Sequence, residues 1–203
     1  MKNLFLLLGL GAFMGLLSTG CSLFGKGSEE QPTYQVILNE DNKEIRKYDS
    51  FIIAKTTISS NFKDAQGKGF RILAGYIFGK NKSQQKISMT APVMTVPADK
   101  ENWTMTFSMP SKFTINTLPT PTDERIKIEK VEQRLFAAIT YSGLWDESKN
   151  EEQAKKLKEW LKKYPEYELI SPAMFAAYNP PWTIPFLRRN EMLIELRMRK
   201  NVE

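Results

Sequence analysis

The chain contains no histidine. That single absence closes several kinds of chemistry. A histidine-based catalytic triad, a histidine-ligated zinc and a histidine-ligated heme cannot be built from these residues. Cysteine occurs once, at position 21, so no internal disulfide can form and no thiolate cluster can hold a metal. Long apolar runs are also scarce. One runs from Leu4 to Leu17 and falls short of the ~20 residues that span a bilayer. Helix-turn-helix and zinc-finger spacings are missing too. The formal charge of +6 and pI near 9.3 come from lysines spread along the chain. That balance favours phospholipid head groups and carboxylates, and no nucleic-acid partner is expected.

What is present begins with a leader. Lys2, the apolar run and the small residues Ser18, Thr19 and Gly20 before Cys21 have the layout of a secretory signal peptide. The stretch resembles the lipobox of bacterial lipoproteins, with Leu17 four residues before Cys21 where the commonest pattern has leucine three before. A plain transmembrane anchor is the alternative, but no basic stop-transfer cluster follows at once. The resemblance implies that residues 1–20 are removed and that Cys21 carries acyl chains. Each buried CH2 of such chains adds about 0.8 kcal/mol of membrane affinity. Ser22 is not aspartate, which by resemblance to enterobacterial sorting implies the periplasmic face of the outer membrane. Residues 21–33, rich in Gly, Ser, Glu and Pro, read as the lipidated N-terminus and a flexible tether.

The remainder, 34–203, has ordinary globular composition: 41% of the whole chain is hydrophobic and 26% charged, enough for one domain with a core. Period-two runs predict strands at 34–38, 44–48, 51–58, 86–96 and 103–110. They continue at 125–133, 134–143, 166–178 and 191–199. Between them, Phe62, Ala65, Gly69, Leu73, Tyr76 and Ile77 recur at helical spacing, with Ser60 as cap and Gly79 as stop. Gly67 and Gly69 weaken that helix and suggest close approach to something. A second helix is predicted over 147–164, with Ser148 and Glu151 as a capping box and Pro165 as its end. The order β-β-β-α-β-β then β-β-α-β-β suggests a duplicated α+β unit whose strands join one sheet or distorted barrel.

Three segments, EIRKYDSFIIAKT, GFRILAGYIFGKNKSQQKISMTAPVMT and PPWTIPFLRRNEMLIEL, resemble the SOUL/heme-binding protein family. The matching positions are Arg46 and Tyr48; Gly69, Phe70 and Leu73; Tyr76, Ile77, Gly79 and Asn81. They continue with Lys86, Ile87, Met89, Thr90, Pro92 and Val93, and end with Pro185, Phe186, Arg188, Arg189, Asn190 and Glu191. The resemblance implies an α+β fold, a distorted antiparallel β-barrel flanked by two helices and built from a duplicated βαββ unit. It also implies heme or another tetrapyrrole as ligand, in an apolar groove beside the first helix, with no histidine available as axial donor.

A flat apolar disc with carboxylates on one edge needs an apolar slot and cations at the rim. Phe70, Leu73, Ile77, Met89, Val93 and Met94 are the slot candidates, and Lys63, Lys68 and Arg71 the rim candidates. Met89, Met94 and a Tyr76 phenolate are candidate axial donors. The same residues read first as core: alternating Ile87, Met89, Ala91 and Val93 is a half-buried strand face before it is anything else, and methionine fills irregular gaps. Pro92 removes a ladder donor, so it marks an edge, bulge or break, and such a break is expected to border the groove. Arg188 and Arg189 are able to clamp a carboxylate or to pair with Glu191 and fix their loop; the second reading is adopted. Trp182 and Phe186 serve as core plugs or as a lid. No second acid or activated nucleophile accompanies Glu191, so no catalytic residues are expected. The reading is a lipid-anchored carrier or buffer of heme or a similar amphipathic ligand. Alternatives are an interaction module for an envelope protein and, with Glu191, a carboxylate-dependent hydrolase.

Overall fold

The computed structural model describes residues 29–199. The expected signal peptide and Cys21 lie outside the described residues. A hairpin of β1 (Tyr34–Glu40) and β2 (Lys43–Tyr48) leads into β3 (Phe51–Ser59) and helix α1 (Phe62–Ile77). β4 (Val93–Pro97) and β5 (Asn102–Ser108) complete the first half. β6 (Lys127–Val131), β7 (Arg134–Tyr141) and helix α2 (Glu147–Leu161) open the second. β8 (Tyr167–Leu169), β9 (Met174–Ala177) and β10 (Asn190–Met198) close it.

The strands form one curled antiparallel half-barrel in the order β1-β2-β7-β10-β9-β4-β5-β3-β6, with β8 paired to β10. This order carries the duplication read from the sequence. β3, β5 and β4 are neighbours in the first half as β7, β10 and β9 are in the second. The two triplets meet at β4 and β9, where Val93 faces Ala177. Each half also lends a strand to the other: β2 pairs with β7, and β6 with β3.

Side chains alternate across the sheet, as a pleat requires. On β7, Ala137 and Ile139 join the core under α2, while Phe136 and Ala138 face the other way. On β10, Met192 and Ile194 pack toward α2 and Leu193 away from it. Helix α1 covers the first half through Ala65, Leu73, Tyr76 and Ile77. Gly69 lets it come close: a Cβ there would sit 2.8 Å from Ile58 Cδ1 and 3.1 Å from Met105 Cβ.

Several boundaries differ from the sequence reading. Asn61, not Ser60, caps α1, its Oδ1 accepting from the Asp64 amide at 2.9 Å. Asp146 caps α2 in place of a Ser148–Glu151 box. The expected strand over 86–96 begins only at Val93. Before it the backbone is bonded elsewhere: the Ile87 amide donates to Ile77 O and the Ala91 amide to Glu30 O. The expected strand 166–178 is two strands, interrupted around Pro172, which has no amide to donate. Order also begins before Tyr34, since Glu30 bridges Thr90 and its carboxylate accepts from the Ser111 amide at 2.6 Å.

Candidate ligand-binding groove

A groove of about 510 Å3 opens on the helix-covered face of the sheet, where the two halves meet. Its floor is Val93 of β4, Ala177 of β9 and Met105 of β5. One wall is the side of α1 that carries Gln66, Gly67 and Phe70, continued by Phe78. Met89, Thr90 and Ala91 form the end of this wall, directly before Pro92. The Ala91–Pro92 peptide is cis. The opposite wall comes from the second half: Trp145, then Tyr178 to Trp182. Gly67 has nothing within 4 Å of its Cβ direction, so it leaves space in the groove where Gly69 gives close packing.

The lining is almost wholly apolar. Its polar groups are mostly engaged: Gln66 Nε2 donates to Thr95 Oγ1 at 3.0 Å and Thr90 Oγ1 to Ser108 O at 2.6 Å. Glu29 is the exception, a lining residue whose Oε2 is buried without a hydrogen-bond partner. Neither lysine nor arginine is among the lining residues.

Behind the groove, on the far face of the sheet, lies an ion cluster built on Glu191, which is fully buried. Arg46 donates to both its oxygens, Nη1 to Oε2 at 2.7 Å and Nη2 to Oε1 at 3.0 Å. Arg189 Nη2 donates to Oε1 at 2.7 Å, and Tyr178 Oη to Oε2 at 2.9 Å. Burial alone would push the Glu191 carboxyl up, but the hydrogen bonds and charges of Arg46 and Arg189 outweigh it and hold the carboxyl below its usual value. The same burial, with Glu191's charge, pushes the Tyr178 phenol well above its usual value. Two motifs far apart in sequence, around Arg46 and around Glu191, thus form one latch. The rest of the second motif braces the groove wall. Trp145 Nε1 donates to Asn190 Oδ1 at 3.1 Å, and the Arg188 guanidinium lies over the Trp145 ring at 5.1 Å.

The candidate slot residues divide by face. Phe70, Met89 and Val93 line the groove together. Leu73 and Ile77 sit in the core under α1, at 0% and 1% exposure, because they fall on the inward side of the helix. Met94 follows Val93 along a pleated strand and so points to the opposite face, against the Tyr48 and Phe136 cluster. Tyr76 is buried away from the groove, its hydroxyl donating to Pro119 O at 2.8 Å and its pKa pushed up to about 12 by burial. Lys68 and Arg71 line a different cleft, with Thr57, Ile58 and Arg125. Lys63 is exposed on α1 and lines none of these walls. Trp182 stands at the groove, 82% exposed, and Phe186 is 72% exposed, so neither plugs the core. Arg189 pairs with Glu191, and Pro92 stands at a strand start beside the groove. Sequence reasoning missed Glu29, Gln66, Met105, Trp145 and Tyr178. The tether composition hid Glu29, the helical and strand periods of α1 and β5 do not show which face Gln66 and Met105 present to the groove, and Trp145 and Tyr178 reach it only through the meeting of the two halves.

Comparison with known proteins agrees with this architecture. The family model described as SOUL heme-binding protein matches residues 29–195, and the chain belongs to that family. Heme-binding protein 1 of Xenopus tropicalis is 30% identical over 156 residues, covering 73% of this chain and 80% of that protein. Heme-binding protein 2 of Mus musculus is 27% identical over 195 residues, covering 88% and 93%. Among solved structures, the EcmrR C-terminal domain superposes with a TM-score of 0.60 at 13% identity, over 82% of this chain and 99% of that one. A hydrolase from Listeria innocua gives 0.54 at 9% identity, over 79% and 94%. At these identities the two structures share the fold alone.

Proposed function

We propose that the protein is a lipid-anchored envelope carrier that binds heme or another tetrapyrrole reversibly in this groove. The observation that carries the reading is the groove itself: open and apolar, of a size usual for small-molecule sites, in a SOUL-family chain. Phe70, Met89 and Val93 contact the ring. With no histidine in the chain, the Met89 thioether is the one candidate axial donor retained at the groove, so binding rests on apolar adsorption with weak or no ligation. The unpartnered Glu29 oxygen disfavours carboxylates inside, so the ligand's acidic edge points out through the mouth. Support for a binding rather than catalytic role comes from Glu191, whose carboxylate is committed to Arg46 and Arg189. The anchor reading rests on the leader pattern before Cys21, and the periplasmic face of the outer membrane as its site rests on Ser22 standing where aspartate would signal retention.

Hemin titration of the full chain, followed by Soret absorbance, tests the ligand. Saturable one-to-one binding is expected. Met89→Ala and Phe70→Ala are expected to weaken it about tenfold, roughly 1.4 kcal/mol, while Met94→Ala, on the opposite face, leaves it unchanged. Glu29→Gln is expected to tighten it up to about fivefold, the scale of a partly exposed charge contact. A linear, unsaturable response identical in all variants defeats the proposal.

A further inference from the structure

Apolar side chains that the fold leaves in water stand at the groove and on the loop and turn next to its second-half wall. Trp182 is 82% exposed, Phe186 72%, Phe78 62% and Leu144 61%. Trp182 and Phe78 also line the groove. The Gly143 amide donates to Pro185 O at 2.8 Å, which sets Leu144 beside the Pro185–Leu187 turn. The backbone that presents the rim is stiff. Pro180, Pro181 and Pro185 restrict it, and the Arg188 guanidinium donates to the carbonyls of Thr183 and Pro181. The rings are held outward at the groove's edge, where a pliant loop would fold them over its apolar lining.

A second observation points the same way. Glu29, the first described residue, lines this same groove. Cys21 precedes it by eight residues, a reach of at most about 28 Å when fully extended. An acylated Cys21 therefore keeps the mouth, rather than the far side of the molecule, next to the bilayer.

We infer that this rim is a lipid-facing surface: Trp182, Phe186, Phe78 and Leu144 settle into the head-group region of a phospholipid bilayer, with the groove opening onto it. Aromatic rings with a polar edge favour that layer, and the net positive charge of the chain favours anionic lipid. An apolar cargo then passes between bilayer and groove without crossing bulk water. The orientation rests on the anchor reading above; the rim's affinity for lipid does not.

The test uses the full chain with phosphatidylcholine vesicles containing a minority of phosphatidylglycerol, made with and without acyl-chain-brominated lipid. Flotation reports attachment, and bromine quenching of tryptophan reports the rim. The four tryptophans are Trp103, Trp145, Trp160 and Trp182, and none precedes Glu29, so the leader adds no signal. The expected result is flotation with loss of about a quarter of the emission, one tryptophan in four. That loss is expected to vanish in Trp182→Phe and to shrink in Phe186→Ser, with flotation and circular dichroism unchanged. Flotation with no bromine quenching overturns the inference, leaves the anchor standing and makes the rim a protein-docking face. Absence of both removes rim and anchor together, while the hemin titration still judges the carrier separately.

Discussion

Glu191 shows how one side chain can be both buried and charged. Two guanidiniums, a phenol and the Thr140 hydroxyl donate to it, so its oxygens are saturated. Removing the carboxylate leaves Arg46, buried at 2% exposure, with two unmet guanidinium donors and only Glu44 as a carboxylate partner. Glu191→Ala is therefore expected to cost about 3–5 kcal/mol in urea unfolding. The pH dependence follows from the direction of the shift. The carboxyl is held below its usual value near 4.5 in the folded state, so its contribution is full above that value. It is lost as pH falls through the depressed folded value. Acid unfolding of Glu191→Gln, followed by circular dichroism, is expected to be flatter across that window than in wild type. Tyr178 joins this latch to the groove, since the residue lines the wall and its hydroxyl binds Glu191.

At the scale of elements, α1 is one helix with two apolar faces. Its inward stripe of Ala65, Leu73 and Ile77 was legible from the helical period. The adjacent side, Gln66, Gly67 and Phe70, was not separable from it, because periodicity reports apolar position and not which partner lies opposite. The two glycines make the division measurable. Gly67→Ala meets nothing within 4 Å and removes the helix penalty of glycine, so it is expected to stabilise by up to about 1 kcal/mol. Gly69→Ala forces α1 away from Ile58 and Met105 and is expected to cost about 1–3 kcal/mol. Thermal unfolding of the pair checks both signs. The stretch before Val93 shows the converse limit. Ile87, Met89 and Ala91 alternate as a strand does, yet the Ile87 amide donates to the last turn of α1 and the Ala91 amide to Glu30, which no local pattern encodes.

For the whole molecule, the duplicated order of elements was readable, and so was the merging of both halves into one sheet. The exchange of β2 and β6 between halves was not, since pairing partners 72 to 96 residues apart leave no mark in either segment. That exchange has a thermodynamic signature. Neither half keeps a complete sheet without the other, so the domain is expected to unfold in one transition. Tryptophan fluorescence and far-UV circular dichroism in urea are expected to give coincident curves, although Trp160 lies in the second half and Trp103, in the first, packs against the cores of both. The wiring also bears on synthesis. Lys43 of β2 awaits Ile139 of β7, about a hundred residues later, which at ribosomal speed is an interval of roughly 5 to 20 seconds. Throughout that interval the nascent chain carries a strand with one bare side, and it is the translation of β7 that ends the exposure.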